Sequence, residues 1–155
     1  MASFSSPSVA LGAVGTDAIF ACPSLEAVSF LSRFTPTFSY EFNDENAPEL
    51  FLPPVGFPYG AAHASEIQYL FDPVSPATSA LTPAQQALGA QMKGYWTSQA
   101  KHGNPATAGQ PGWPLFSVVS QQMLSLTEPQ PTVETNFAAE HQCGFWAGLA
   151  AAGAH

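Results

Sequence analysis

Apolar residues recur along this chain mostly at helical spacing, broken by prolines and by two short runs of β-formers. An N-terminal helix is predicted from Thr16 as N-cap, with Asp17 in its first turn and Ile19 and Phe20 on one face. Pro23 interrupts it, and Ser24 restarts it with Leu25, Val28 and Leu31 three apart. The clearest helix begins at Thr82, where the N-cap is followed by Pro83 at the first helical position and Gln85 as capping-box partner. Ala84, Leu88, Met92 and Trp96 continue it at four-residue spacing, to a stop at Gly103. Phe34, Thr35, Thr37, Phe38, Tyr40 and Phe42 predict a strand that tolerates Pro36 near its start, and Met123 to Leu126 predict a second, short one. A short helix after His63 brings Ile67, Leu70 and Phe71 together. A last helix over 136–147 buries Phe137, Ala138, Cys143 and Trp146. From Asn43 to Gly60 the chain is acidic and then rich in Pro and Gly, a long loop of the kind that usually carries function. Gly109 to Pro114 reads as a turn, and no internal repeat is visible.

Composition narrows the class. The chain has 155 residues, 3 basic and 11 acidic side chains, a formal net charge of −8, 46% apolar residues and 12 Phe. That is too apolar and too poor in charge for a disordered chain, and long enough for one domain with a real core. Three cations cannot track a phosphate backbone or an anionic lipid surface, which excludes nucleic acid as a partner. The 15 prolines are spread through loops and punctuate a loop-rich, enzyme-like fold. The longest uninterrupted apolar run, Phe145 to Ala154, is far short of the roughly 20 residues that span a bilayer. No basic residue precedes Arg33, so the start lacks the charged region of a secretory signal, and a soluble chain without a membrane span is expected. Residues 1–12 are Ser/Ala/Pro-rich and expected to be flexible, and 148–155 to form a tail.

His63 is the candidate general base. It stands in Gly60-Ala61-Ala62-His63-Ala64-Ser65-Glu66-Ile67-Gln68-Tyr69-Leu70-Phe71, after small residues that let the backbone approach a neighbouring element. Glu66, three residues on, is placed to hydrogen-bond back to the histidine or its N–H. A histidine that ends a long loop and opens a helix suits proton transfer, although on residues alone a structural histidine is the commoner case.

The same segment, Gly-x-x-His-x-x-Glu-Ile-x-Tyr-Leu-Phe, resembles the catalytic-histidine region of the type-B carboxylesterases, the family of cholinesterases and bacterial para-nitrobenzyl esterases. Other segments are similar in the same order: Thr16 to Pro23, Phe38 to Phe42, Tyr95-Trp96 through Gly103-Asn104-Pro105 to Trp113-Pro114, and Glu140 to Trp146. The resemblance runs over roughly residues 8 to 147 and implies an α/β architecture: the C-terminal portion of an α/β-hydrolase fold, an incomplete sheet with flanking helices, as one segment over 1–155. It implies ester hydrolysis through a Ser-His-acid triad, with His63 as the histidine. It also implies a disulfide between Cys22 and Cys143, hence an oxidising compartment, secreted or periplasmic.

Departures from the family are as informative. No Gly-x-Ser-x-Gly elbow and no Gly-Gly oxyanion segment occur in these residues. The expected partner is therefore the N-terminal portion of the same enzyme, carrying the nucleophilic serine and the acid, together with a small ester substrate; self-association is a further expectation. The competing reading is a non-catalytic truncated remnant or binding module, and a self-contained hydrolase with another nucleophile ranks last. Ser65 is too close to His63 to serve it as nucleophile. His63, His102, His141 and His155 show no paired metal spacing, and no cofactor is expected. Glu41, Asp44, Glu45 and Glu49 form an acidic cluster that reads as a solvated loop ahead of a calcium site. Trp96, Trp113 and Trp146 read as core; Phe57, Pro58 and Tyr59 read equally as pocket lining or as a packed loop.

Overall fold

A computed structural model describes residues 4–50, 52–71 and 81–153 of the chain. Its elements are α1 (Pro7–Gly15), a π-helical segment (Thr16–Ala21), α2 (Cys22–Leu31), β1 (Tyr40–Phe42), α3 (Ile67–Leu70), α4 (Pro83–His102), β2 (Met123–Leu126), β3 (Thr132–Glu134), α5 (Phe137–Glu140) and α6 (Cys143–Gly153). The three strands form one sheet in the order β1-β2-β3. β1 runs parallel to β2, with Tyr40 opposite Leu124, Glu41 opposite Ser125 and Phe42 opposite Leu126. All four residues of β2 are buried, as expected for a central strand covered on both faces.

The chain divides into two compact units. The first comprises the residues up to Ser39, Leu115–Met123 and those from Glu134 on. Its small core joins Ala21, Phe116, Met123 and Phe137, with Leu25 and Val28 against them. Two polar attachments sit beside that core. Cys22 and Cys143 form the disulfide, with Cα atoms 5.2 Å apart. Buried Asp17 meets His141 Nδ1 at 2.7 Å through Oδ1, and the imidazole lies 4.4 Å from the Phe137 ring. Both attachments fasten the N-terminal helix to the α5–α6 turn.

That helix differs from the expectation. It starts before Thr16, at Pro7, because Ser6 Oγ accepts from Val9 N–H (3.2 Å) and Pro7 needs no partner in the first turn. Residues 7–12, expected to be flexible, are therefore helical, and α6 likewise extends through Gly148–Gly153. Pro23 does not interrupt the path. It lies in the first turn of α2, directly after the π-helical segment, whose wider loops take up the register at which a proline offers no N–H. Pro7–Leu31 is thus continuous over 25 residues, with a mean hydropathy of 1.4 in its most apolar window, long and apolar enough to cross a bilayer by length and composition. The apolar-run count missed it because Ser, Thr, Asp and Gly punctuate the stretch.

The second unit comprises Tyr40–Pro114 and Leu124–Val133. Tyr69, Leu88, Met92, Tyr95, Leu124 and Leu126 form its core, with Phe42, Leu70, Trp96 and Trp113 packed against them. α4 is built as its sequence predicts. Thr82 Oγ1 accepts from Gln85 N–H (3.2 Å), Gln85 Oε1 accepts from Thr82 N–H (2.9 Å), and Gly103 ends the helix at φ +67°. Trp96 and Trp113 lie in the core region, edge-on to Tyr40 at 5.1 and 5.7 Å.

The first predicted strand shrinks to three residues. Phe34 and Thr35 N–H groups both return to Leu31 O (2.9 and 3.1 Å), closing α2, so they are not available to a ladder. Of the predicted strand, Tyr40–Phe42 make the ladder pairs with β2. β3 was not predicted, and the last predicted helix is two, α5 and α6, separated at His141 and Gln142, where Gln142 takes φ +51°.

Two outcomes are expected. Gly89 faces α3 so closely that an added Cβ would lie 2.9 Å from the Tyr69 carbonyl oxygen. Gly89→Ala gains about 1 kcal/mol of helix propensity but forces backbone apart at a cost of about 1–3 kcal/mol, so its urea midpoint falls despite the better helix former. Cys22 and Cys143 close a separation of 121 residues. Their replacement by alanine lowers stability by about 4–5 kcal/mol on the chain-entropy account, measured by denaturant titration, and unreduced, thiol-blocked protein shows the linked peptide by mass spectrometry.

Candidate active site

His63 lies where the long loop meets α3, exposed, in a turn of four residues that precedes Ile67. The turn is tightly wound. Gly60 (φ +66°) and Ala64 (φ +72°) both take left-handed backbone, which bends the chain on either side of the histidine. Ala62 N–H reaches Gly60 O (2.9 Å) and Ser65 N–H reaches Ala62 O (3.0 Å). Ser65 is buried, and its hydroxyl donates to Ala62 O at 2.6 Å; it is a structural clasp of the turn. Gln68 Nε2 donates to Ser65 O (3.0 Å) and to Pro48 O (2.7 Å), tying the turn to the loop that precedes it.

α3 is a single turn, too short to persist without tertiary support. Its buried residues are Gln68 and Tyr69; of the expected apolar set only Leu70 packs against the core, while Ile67 is partly exposed and Phe71 is 66% exposed. The Tyr69 ring packs edge-on against Phe42 (5.0 Å), and its hydroxyl donates to Asp44 Oδ2 at 2.5 Å.

Asp44 corrects the reading of the acidic loop as a solvated cluster. Its side chain is 1% exposed. Oδ2 also accepts from Gln85 Nε2 (3.0 Å), and Oδ1 accepts from Asn46 N–H (3.0 Å). Gln85 Nε2 adds a contact to Asn46 O (3.1 Å), so the one amide that caps α4 with its oxygen holds the loop with its nitrogen. Glu49 also has a local role, accepting from Leu52 N–H (3.1 Å). Asp44, Gln68, Tyr69 and Gln85 are the residues that sequence reasoning missed around His63. The sequence marked Gln85 as a cap, Tyr69 as part of the motif around His63 and Asp44 as part of an acidic run, with no sign that the three meet.

Burial and charge act on the phenols of this unit. Burial holds the Tyr69 hydroxyl protonated well above its ordinary value of 10, and the hydrogen bond to Asp44 adds to the effect. Burial raises Tyr95 as well, whose hydroxyl donates to Pro111 O at 2.7 Å. Tyr40 is raised by burial first and then by the carboxylate of Glu66, so Glu66 makes its charge felt at β1. Of the other histidines, His102 is exposed at the end of α4, His141 is bonded to Asp17, and His155 lies outside the described residues.

The sequence model of the carboxylesterase family matches residues 3–146. The chain belongs to the carboxylesterase family. It is similar to the acylcarnitine hydrolase of Rattus norvegicus, 30% identical over 131 residues that cover 84% of this chain and 22% of that protein. It is also 30% identical to the cocaine esterase of Homo sapiens over 132 residues, again 84% of this chain and 22% of the other. Among solved structures, a PNB esterase superposes with a TM-score of 0.65 at 24% identity, covering 83% of this chain and 25% of that one. A thermophilic PNB esterase gives 0.67 at 24% identity, covering 84% and 26%. The likeness establishes the fold as the C-terminal portion of an α/β-hydrolase, with a small sheet and flanking helices. The carboxylesterase chain spans about a fifth of the length of the curated relatives it matches.

The phenols give this site's unit a pH signature. In the unfolded chain tyrosines ionise near 10, whereas Tyr69, Tyr95 and Tyr40 hold their protons higher when folded. The unfolded state therefore binds fewer protons above pH 10, and stability that is fully present below that pH is lost as pH rises further. Tyr69 and Tyr95 dominate, because Tyr40 is 41% exposed and screened by solvent. Urea midpoints between pH 8 and 12 are expected to fall only above 10, and less steeply in Tyr69→Phe; a flat profile counts against this assignment.

Proposed function

We propose that this chain supplies the histidine of a carboxylic ester hydrolase, with His63 as general base. The observation that carries the reading is the exposed imidazole on a turn braced from both sides, in the segment that resembles the family's histidine region. In the first half-reaction His63 accepts the hydroxyl proton of a serine as it attacks the ester carbonyl, then returns it to the leaving alkoxide. In the second it takes a proton from water as the water attacks the acyl-enzyme, then gives that proton to the departing serine oxygen as the acid is released. The serine, the acid that orients His63 and the oxyanion donors come from the remainder of the enzyme, which is the partner this reading requires. The substrate is a small carboxylic ester.

A secreted or periplasmic site of action is part of the proposal. Its support is the Cys22–Cys143 bond, since such bridges persist in oxidising compartments. Separated from the remainder, the chain is expected to associate with it or with itself. Leu11, Ile19 and Phe34 are each at least two-thirds exposed, and apolar surface of that kind seeks cover.

The decisive experiment is His63→Ala in the enzyme that contains this chain. For a short-chain nitrophenyl ester, kcat is expected to fall by roughly four orders of magnitude or more, with the fold retained by circular dichroism. Turnover above a tenth of wild type would overturn the assignment. A wild-type enzyme that neither hydrolyses the ester nor reacts with a serine-directed phosphonate would favour the non-catalytic remnant instead.

A further inference from the structure

The residues that hold α3 converge on one stretch of loop. Asp44 takes the Tyr69 hydroxyl (2.5 Å) and the Pro48 carbonyl takes Gln68 Nε2 (2.7 Å), so five residues, 44 to 48, grip both buried positions of a one-turn helix. From the other side, Gln85 of α4 binds Asp44 and Asn46. α4 also approaches α3 at Gly89, with no room for a Cβ. His63 stands on the turn that enters α3, and that turn is fastened to Gln68 through Ser65 O (3.0 Å).

We propose that Asp44 is a positioning residue for His63: its carboxylate, through Tyr69 and Gln85, fixes α3 between the loop and α4 and thereby fixes the turn that presents the imidazole. The inference rests on His63 being the general base. A buried carboxylate is a demanding anchor. Removed from water, it is stable only while donors surround it, and losing one donor exposes an uncompensated charge. Three donors meet it here: the Tyr69 hydroxyl, Gln85 Nε2 and Asn46 N–H. Each is supplied by a different element, so any drift of α3 or α4 strips the carboxylate of a partner. Tyr69 is suited to the role because its hydroxyl remains a donor throughout the working pH range. The precision matters because general-base catalysis is sensitive to placement, and an error of about 1 Å costs about 100-fold.

A residue that merely supports the fold and one that positions the base predict different kinetics. Tyr69→Phe keeps the ring against Phe42 and deletes only the hydroxyl. Asp44→Asn keeps the shape and replaces one acceptor by a donor, which faces Gln85 Nε2 unfavourably. Both variants, the double variant and His63→Ala are assayed in the enzyme containing this chain, with kcat expressed per folded enzyme and, for the variants that keep His63, also per active site titrated to completion by a phosphonate. Tyr69→Phe is expected to lower kcat about tenfold, with KM unchanged within about twofold. Asp44→Asn is expected to lower it at least as much, and the double variant to be no worse than Asp44→Asn, because the two changes remove one shared contact. Unchanged kcat per titrated site in Tyr69→Phe overturns the proposal, even if melting temperature falls or fewer sites titrate. Should Asp44→Asn fail to fold, Tyr69→Phe decides alone. Loss of turnover in His63→Ala with normal kcat in Tyr69→Phe refutes only the positioning role. Retained turnover in His63→Ala refutes the general-base reading itself.

Discussion

A buried carboxylate organises the unit that carries His63. Asp44 is withdrawn from water and satisfied by three donors, from α3, α4 and its own loop. A buried carboxyl group in that position is tolerable only with all its partners in place, so the loop, the one-turn helix and the start of the long helix are mutually constrained. Apolar packing alone would be less exacting. Tyr69 against Phe42, Leu88 and Met92 could slide by a fraction of an ångström at little cost, whereas a hydrogen bond to a carboxylate weakens steeply with distance and angle. Gln85 is the economical part of the arrangement, since its oxygen accepts from the N–H of the N-cap Thr82 while its nitrogen reaches the loop.

The other unit is held by different means. Its apolar core is small, and much of its N-terminal helix shows apolar side chains to the outside. The disulfide and the Asp17–His141 contact do what a larger core would otherwise do, joining residues more than a hundred positions apart. The disulfide removes conformational freedom from the unfolded chain, while the Asp–His contact discriminates among folded arrangements by leaving a buried carboxylate unpaired in the wrong ones. Asp17 lies in the π-helical segment, and Pro23 follows that segment in the first turn of α2, where a proline is tolerated.

On the proposal that His63 is the general base, the chain supplies one part of an acyl-transfer apparatus. A general base is effective only when its partner atoms are held within hydrogen-bond reach, and the nucleophile and oxyanion donors supply most of the rate enhancement in such reactions. The local architecture around His63 fits that division of labour. Left-handed backbone at Gly60 and Ala64, the Ser65 clasp and the Gln68 tie all stiffen the turn while leaving the imidazole exposed to whatever stands opposite.

The amino-acid sequence by itself determined what depends on neighbours along the chain. The capping box and Gly103 delimit α4, Met123–Leu126 is a strand, and the segment around His63 carries the family likeness, because each of these is written in residues only a few positions apart. Tertiary structure decided what depends on distant partners. β1 is three residues long because that is how far β2 runs beside it, and the β-formers before it close α2 instead. Asp44 looks solvated in an acidic run until Tyr69 and Gln85, 25 and 41 residues away, arrive to bury it. Local propensity is a weak force that packing overrides, and a charge is driven inside only by donors that the fold brings from elsewhere.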